Sequence, residues 1–294
     1  MTTTTTTIAT YSGVEPGAAQ HLDDAGVRFY QLWLDPTLTY SCAAWADGEE
    51  DRDLEAAQTR KLDDHLREAG AVRDGRLLDI GCGWGSLLQR AVRRHGVSHA
   101  VGLTLNADQA SWVNALQDPR IEARTENWFD HTPAAPYDSI VCVAAFEAFA
   151  RPGMTLEERQ RAYRGFFERC HGWLRPGGSF SLQTLGLDDP PPPYTADNQR
   201  AHPYSLPTPA TLARSVSRLF KITHFADCSA DSVRTLRAWL SRLSAVRDAA
   251  VAEAGETTVK KYEDVLKTAL LTFRLGKLRL FRATLSRADR VVRA

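Results

Sequence analysis

The sequence lacks any apolar run long enough to cross a bilayer. The nearest, Ser139–Ala150, is interrupted by Glu147, so a soluble chain without integral membrane contact is expected. It lacks a charge excess as well. Thirty-six Lys and Arg balance 36 Asp and Glu, for a formal net charge of zero, which argues against a nucleic-acid binder that relies on phosphate contacts. There is no CxxC pair, and the five cysteines (Cys42, Cys82, Cys142, Cys170, Cys228) are odd in number and widely spaced. Neither a disulfide framework nor a zinc site is expected, and a reducing cytoplasm fits this usage. His202 and His224 have no ligand-like spacing, and Asp188-Asp189 reads as a solvated loop pair, so no metal is expected. No internal repeats occur. Met1–Thr7, with six consecutive threonines, has neither transit-peptide nor secretory character, and residues 1–17 are expected to be a disordered tail.

What is present is ordinary globular composition: 294 residues, 43% hydrophobic and 24% charged, enough for one large α/β domain or one with an insertion. An aromatic and apolar segment runs from His21 to Trp45 and is broken at Asp35-Pro36. Leu54, Ala57, Lys61, Leu62, His65 and Leu66 recur at helical spacing up to Gly70. An alternation typical of parallel α/β proteins follows. It predicts strands over Arg76–Ile80, His99–Leu103, Ile121–Thr125, Ser139–Val143 and Ser179–Thr184. Helices are predicted over Ser86–His95, Ala107–Leu116 and Leu156–Trp173, the last stopped by Pro176-Gly177-Gly178. Leu187–Pro209, with four consecutive prolines, reads as a long loop or lid that should be protease-sensitive without acceptor. The remainder predicts helices over Thr208–Leu219, Val233–Glu253 and Thr257–Arg287.

The most informative stretch is Leu77-Leu78-Asp79-Ile80-Gly81-Cys82-Gly83-Trp84-Gly85. An apolar strand enters Asp79, then three alternating glycines lead into a helix near Ser86. Glycine lets the backbone turn sharply and approach a ligand, and the helix start offers free N–H groups to an anion. A nicotinamide dinucleotide fingerprint would need glycine at position 86, where Ser86 stands.

With its neighbours, this stretch resembles the cyclopropane fatty acid synthase family, including the mycolic acid cyclopropane synthases, from about Ala18 to Arg282. The resemblance rests on separated motifs in the same order: Phe29 to Cys42, Leu54-Glu55-Ala56-Ala57-Gln58, the glycine turn, and Val101-Gly102-Leu103-Thr104-Leu105 with Gln109. Phe146-Glu147-Ala148-Phe149, Arg234-Thr235-Leu236 with Trp239, and Phe273-Arg274-Leu275-Gly276 complete it. It implies a class I SAM-dependent methyltransferase fold, α/β and Rossmann-like, with a mostly parallel seven-stranded sheet, an N-terminal helical segment and a helical cap. The implied organisation is a helical segment over 18–70 that closes on the cofactor, a core over 71–186, and lid, cap helices and completion of the core over 187–294.

The resemblance further implies S-adenosyl-L-methionine (SAM) as cofactor, leaving as S-adenosyl-L-homocysteine (SAH). Its methionine end would lie over Gly81 and Gly83 under Tyr40 and Ser41, with Asp79 at the strand end. Thr104, Leu105 and Gln109 would meet the nucleoside, and Asn127 and Trp128 the adenine, although Trp128 also suits a plug at the sheet edge. Val143 completes the cofactor set. The second strand ends without the carboxylate many methyltransferases use for the ribose, and Gln109 can hydrogen-bond in its place. At the chemical centre the family holds bicarbonate with a Cys backbone group, a Glu, a His and a Tyr. Here Cys42 and Glu147 keep two positions, Gln183 and Ser232 stand at the other two, and Ala148 replaces a further histidine. These departures put bicarbonate use in question.

Burial would raise the Glu147 pKa and suit it to proton transfer, or it is a structural carboxylate. Tyr30, Trp33, Trp45, Phe146 and Phe273 either line an apolar pocket or form core. The expected function is C-methylation of an unsaturated apolar small molecule or acyl chain. Lipid cyclopropanation, small-molecule N-methylation and non-enzymatic SAM binding are the alternatives. Peripheral membrane contact and oligomerisation stay open.

Overall fold

The structure, a computed structural model, describes residues 25–150, 154–189 and 206–289. The expected tail and the proline run, and hence most of the expected lid with His202, lie outside them. Among the described residues, one seven-stranded sheet has the order β3-β2-β1-β4-β5-β7-β6. Its strands are β1 (Arg76–Ile80), β2 (His99–Thr104), β3 (Ile121–Thr125), β4 (Tyr137–Val143), β5 (Leu174–Gly186), β6 (Phe220–Asp227) and β7 (Arg279–Arg287). The strands β1 to β5 pair in parallel, and β7 runs antiparallel between β5 and β6. Strand order reverses between β1 and β4, which opens a crevice at their carboxyl ends.

Helix α1 (Gly26–Trp33) precedes the Asp35-Pro36 turn, and α2 (Leu54–Glu68) precedes β1. Helices α3 (Ser86–Arg94), α4 (Ala107–Asn114) and α5 (Leu156–Trp173) connect the parallel strands. Gly102 on β2 allows α3 to approach the sheet, since a Cβ there would meet Cys82 Sγ and Leu88 Cδ1, each at 2.7 Å. Helix α5 starts in a reciprocal capping box between Thr155 and Glu158. It buries Phe166 and Phe167 against Phe146, Phe149 and Phe180. Helices α6 (Pro209–Val216), α7 (Ser229–Ala245), α8 (Arg247–Ala254) and α9 (Glu256–Arg274) complete the chain.

Three sequence expectations need correction. Arg175–Gly178 does not separate helix from strand, because Leu174 already pairs with Tyr137 and the four following residues bulge out before Ser179 pairs with Ser139. The helix expected over Val233–Glu253 is two helices, α7 and α8, which meet at Val246. The helix expected over Thr257–Arg287 ends at Arg274, and its last part is β7. That strand is covered on both faces, so it has no apolar-polar alternation, and its three arginines read as a helical charge pattern. Strand β6 was not expected at all.

The cap helices clasp the N-terminal segment. Arg242 of α7 donates to the Trp33 and Leu34 carbonyl oxygens at 2.7 and 2.8 Å, closing the C-terminal end of α1. The Tyr30 and Tyr262 hydroxyls are 2.6 Å apart. Arg242→Met should therefore lower unfolding free energy by about 1 to 2 kcal/mol, the net worth of charge-assisted hydrogen bonds at a half-buried site. Denaturant unfolding measures it, and an unchanged midpoint would remove this clasp from the stabilising contacts.

Candidate functional site

The crevice holds a cavity of ≈ 370 Å³. Its floor is the glycine turn, whose Gly81 and Cys82 N–H groups donate to the Leu103 carbonyl oxygen at 2.9 and 3.0 Å. Gly81 has φ +83°, and a Cβ there would collide with Ala145. Gly83 has φ +52° with nothing within 4 Å of a built Cβ, so that position faces open space. This is a cradle that admits a ligand against bare backbone.

All eleven expected cofactor residues line this cavity: Tyr40, Ser41, Asp79, Gly81, Gly83, Thr104, Leu105, Gln109, Asn127, Trp128 and Val143. Thr104 Oγ1 donates to Gln109 Oε1 at 2.7 Å, fixing the amide at the end of β2. Trp128 packs on Phe149 and Phe166, each with centroids 5.1 Å apart, so it edges the cavity and anchors in the aromatic core at once. Asp35 accepts from the Thr37 and Thr39 N–H groups at 2.9 and 3.3 Å and shapes the turn that presents Tyr40 and Ser41. Tyr40 is held by Tyr30, Trp33 and Trp239.

Glu147 also lines the cavity. Ala144 and Ala145 lead from β4 into a short 3₁₀ turn, Phe146–Phe149, with Ala144 at φ +54°. That turn places Glu147, 5% exposed, against β5. Its Oε1 accepts from Leu185 N–H at 2.6 Å. Its Oε2 is buried without a hydrogen-bond partner among the described residues, the Thr184 hydroxyl donating to the Leu185 carbonyl oxygen. Burial pushes the Glu147 carboxyl up to about 7, although the Leu185 N–H and, less strongly, its own N–H and the adjacent Thr184 hydroxyl act the other way.

Cys42, Gln183 and Ser232 do not line the cavity; they meet one another beside it. Gln183 Nε2 donates to the Cys42 carbonyl oxygen at 3.4 Å, and the buried Ser232 hydroxyl neighbours the Cys42 thiol, which burial raises to about 11. Gln183 Oε1 accepts from Arg282 Nε at 2.7 Å and lies 3.4 Å from His65 Nε2. Arg282, 7% exposed, also donates to the Ala43 carbonyl oxygen at 3.0 Å. None of the expected aromatics lines the cavity: Tyr30, Trp33, Phe146 and Phe273 are core, with Phe146 stacked on Tyr163, and the half-buried Trp45 packs against the core with its indole N–H tied to Thr235.

Sequence reasoning missed three functional candidates: Lys61, His65 and Arg282. Lys61 and His65 sit four residues apart on the apolar face of α2, and two titratable groups within a buried stripe were the available signal. Arg282 is hidden in the sequence because the arginine spacing of β7 carries a helical charge pattern. Among the described residues, no cluster suited to a metal ion occurs, and no helix is long and apolar enough to cross a membrane.

The sequence model of the mycolic acid cyclopropane synthetase family matches residues 15–283. Cyclopropane mycolic acid synthase 3 of Mycobacterium tuberculosis is 31% identical over 286 residues, covering 88% of this chain and 93% of that protein. The S-adenosylmethionine-dependent methyltransferase UmaA of the same organism is 29% identical over 287 residues, with the same coverage. The crystal structure of the mycolic acid cyclopropane synthase CmaA1 complexed with SAH and CTAB superposes with a TM-score of 0.78 at 28% identity, covering 91% of this chain and 96% of that one.

Proposed function

Because the chain belongs to the mycolic acid cyclopropane synthetase family, and is thereby a SAM-dependent methyltransferase, we propose that it methylates carbon on an unsaturated acyl chain or similar apolar molecule. The relatives' names point to lipid acyl acceptors, and a related synthase is complexed with the surfactant CTAB as well as SAH. Leu38, Leu105, Ala148, Phe149 and Leu185 offer apolar surface to such an acceptor. The residues that fit the cofactor are the glycine cradle, Ser41, Asp79, Thr104 and Gln109 around the cavity.

When bound, SAM supplies an electrophilic methyl group. The chain's part is to hold an alkene against it, exclude water and take up a proton. Methylation of an alkene leaves a substrate carbocation, which is quenched by proton loss to a nearby base. The buried, half-satisfied carboxyl of Glu147 is the observation that carries this reading: Oε2 is free to accept, and a pKa near 7 suits proton transfer at neutral pH. The Gln183 amide is already engaged by Arg282 and the Cys42 carbonyl oxygen. That engagement favours a product formed without bicarbonate: a methylated alkene or ring carbon.

One observation favours a second reading. Arg282 is buried yet forms no ion pair among the described residues, so it suits an anion held nearby and cyclopropane formation. Incubation with methyl-labelled SAM and unsaturated lipids, in bicarbonate-free and in bicarbonate buffer, separates the two. Equal rates and a methylated, ring-free product are expected. A bicarbonate requirement together with a cyclopropane product would establish the second reading.

A further inference from the structure

Lys61 occupies an unusual place for an ammonium group. It is 1% exposed, lines the cofactor cavity, and reaches it from α2 rather than from the glycine turn. Among the described residues its one hydrogen bond goes to Ser41 Oγ at 2.7 Å, and it forms no ion pair. Two of its three donors are therefore unspent. Asp79, 3% exposed at the end of β1, lines the same cavity, and its carboxyl closes no side-chain hydrogen bond among the described residues. A buried charge without a partner is costly, and a cavity that keeps one of each sign is complementary to a zwitterion.

We propose that Lys61, with Ser41 as second donor, binds the α-carboxylate of the cofactor's methionine end, while Asp79 faces its ammonium group. The proposal rests on the cofactor assignment and deepens it. Burial, with Arg282 adding repulsion, lowers the Lys61 pKa to about 7, and burial raises that of Asp79 to about 7. The attraction between the two groups opposes both shifts without cancelling them, and a bound amino acid end gives each charge the hydrogen-bonded partner it lacks. Asp35, Cys42 and Asp79 also act on Lys61, and together they only partly offset its burial. The Lys61–Ser41 contact also couples the N-terminal segment to the ligand: a carboxylate between them would hold the Tyr40-Ser41 loop against the glycine turn.

Calorimetric titration of the full chain with SAH and with decarboxylated SAH, which keeps the ammonium, thioether and nucleoside, tests this. The wild-type protein should prefer SAH by about 10- to 100-fold, the worth of a hydrogen bond to a charged group. Lys61→Met should bring SAH down to the affinity of the decarboxylated analogue and leave the analogue unchanged. Should that variant fail to fold, Lys61→Gln, which keeps a donor for Ser41 but no charge, is read in the same way. Equal weakening of both ligands would assign Lys61 a structural role only, and unchanged SAH affinity would exclude the contact; either overturns the proposal. A wild-type chain that binds neither ligand would overturn the cofactor assignment and the proposal with it.

Discussion

Glu147→Gln is expected to reduce turnover at least ~100-fold while SAH affinity and thermal stability stay near wild type. Glutamine is isosteric and keeps an acceptor for the Leu185 N–H that now binds Oε1 at 2.6 Å, so the 3₁₀ turn should hold. What it loses is the ability to accept a proton at Oε2. The pH dependence gives a second, independent readout. A general base works only when ionised, and burial raises this carboxyl from its ordinary range to about 7. Turnover should therefore fall as pH drops below about 7 and level off above it, and this limb should vanish in the variant. An active Glu147→Gln enzyme with the wild-type pH profile would reduce Glu147 to a structural acceptor for Leu185.

Gly83→Val is expected to lower SAH affinity at least ~100-fold in a chain that still folds, because position 83 is strained for any branched residue and faces the open cavity proposed to hold the cofactor. At φ +52° a non-glycine residue costs roughly 1–2 kcal/mol. A Cβ at Gly83 meets no protein atom within 4 Å, so it enters the space the cofactor needs. The same change at Gly81 should act differently. There the new side chain collides with Ala145, which leads into the Glu147 turn, so Gly81→Val should lower the melting temperature whether or not ligand is present. Paired calorimetry and thermal denaturation distinguish these outcomes. A folded Gly83→Val protein with wild-type SAH affinity would take the glycine turn out of the cofactor site.

The parallel half of the fold was legible because it obeys local rules. Short β-branched and leucine-rich runs, glycine stops and a 3.6-residue period mark β1 to β5 and α2 to α5, and their observed bounds differ from expectation by a few residues. The bulge at Arg175–Gly178 was not legible, since proline and glycine punctuate a chain whether they end an element or kink it. Among site residues, the glycine turn announces itself through backbone requirements that only glycine meets. Lys61 and His65 were visible as residues but read as helix positions, because a sequence does not say that Lys61 reaches a cavity while His65 meets Ser181 and Gln183 on β5.

The sequence alone determined the sheet's parallel half, the glycine cradle, the order of the family motifs and the departures at Gln183, Ser232 and Ala148, all of which follow from residue type at fixed local spacing. Only the tertiary structure decided that β7 inserts antiparallel between β5 and β6, bringing Arg282 onto Gln183 across 99 residues of chain. It alone decided that Cys42, Gln183 and Ser232 gather beside the cavity while Glu147 opens into it. Those are long-range facts. A strand buried on both faces loses the alternation that would mark it, and whether a buried ionisable group meets a partner or a cavity depends on which distant segment the fold lays against it.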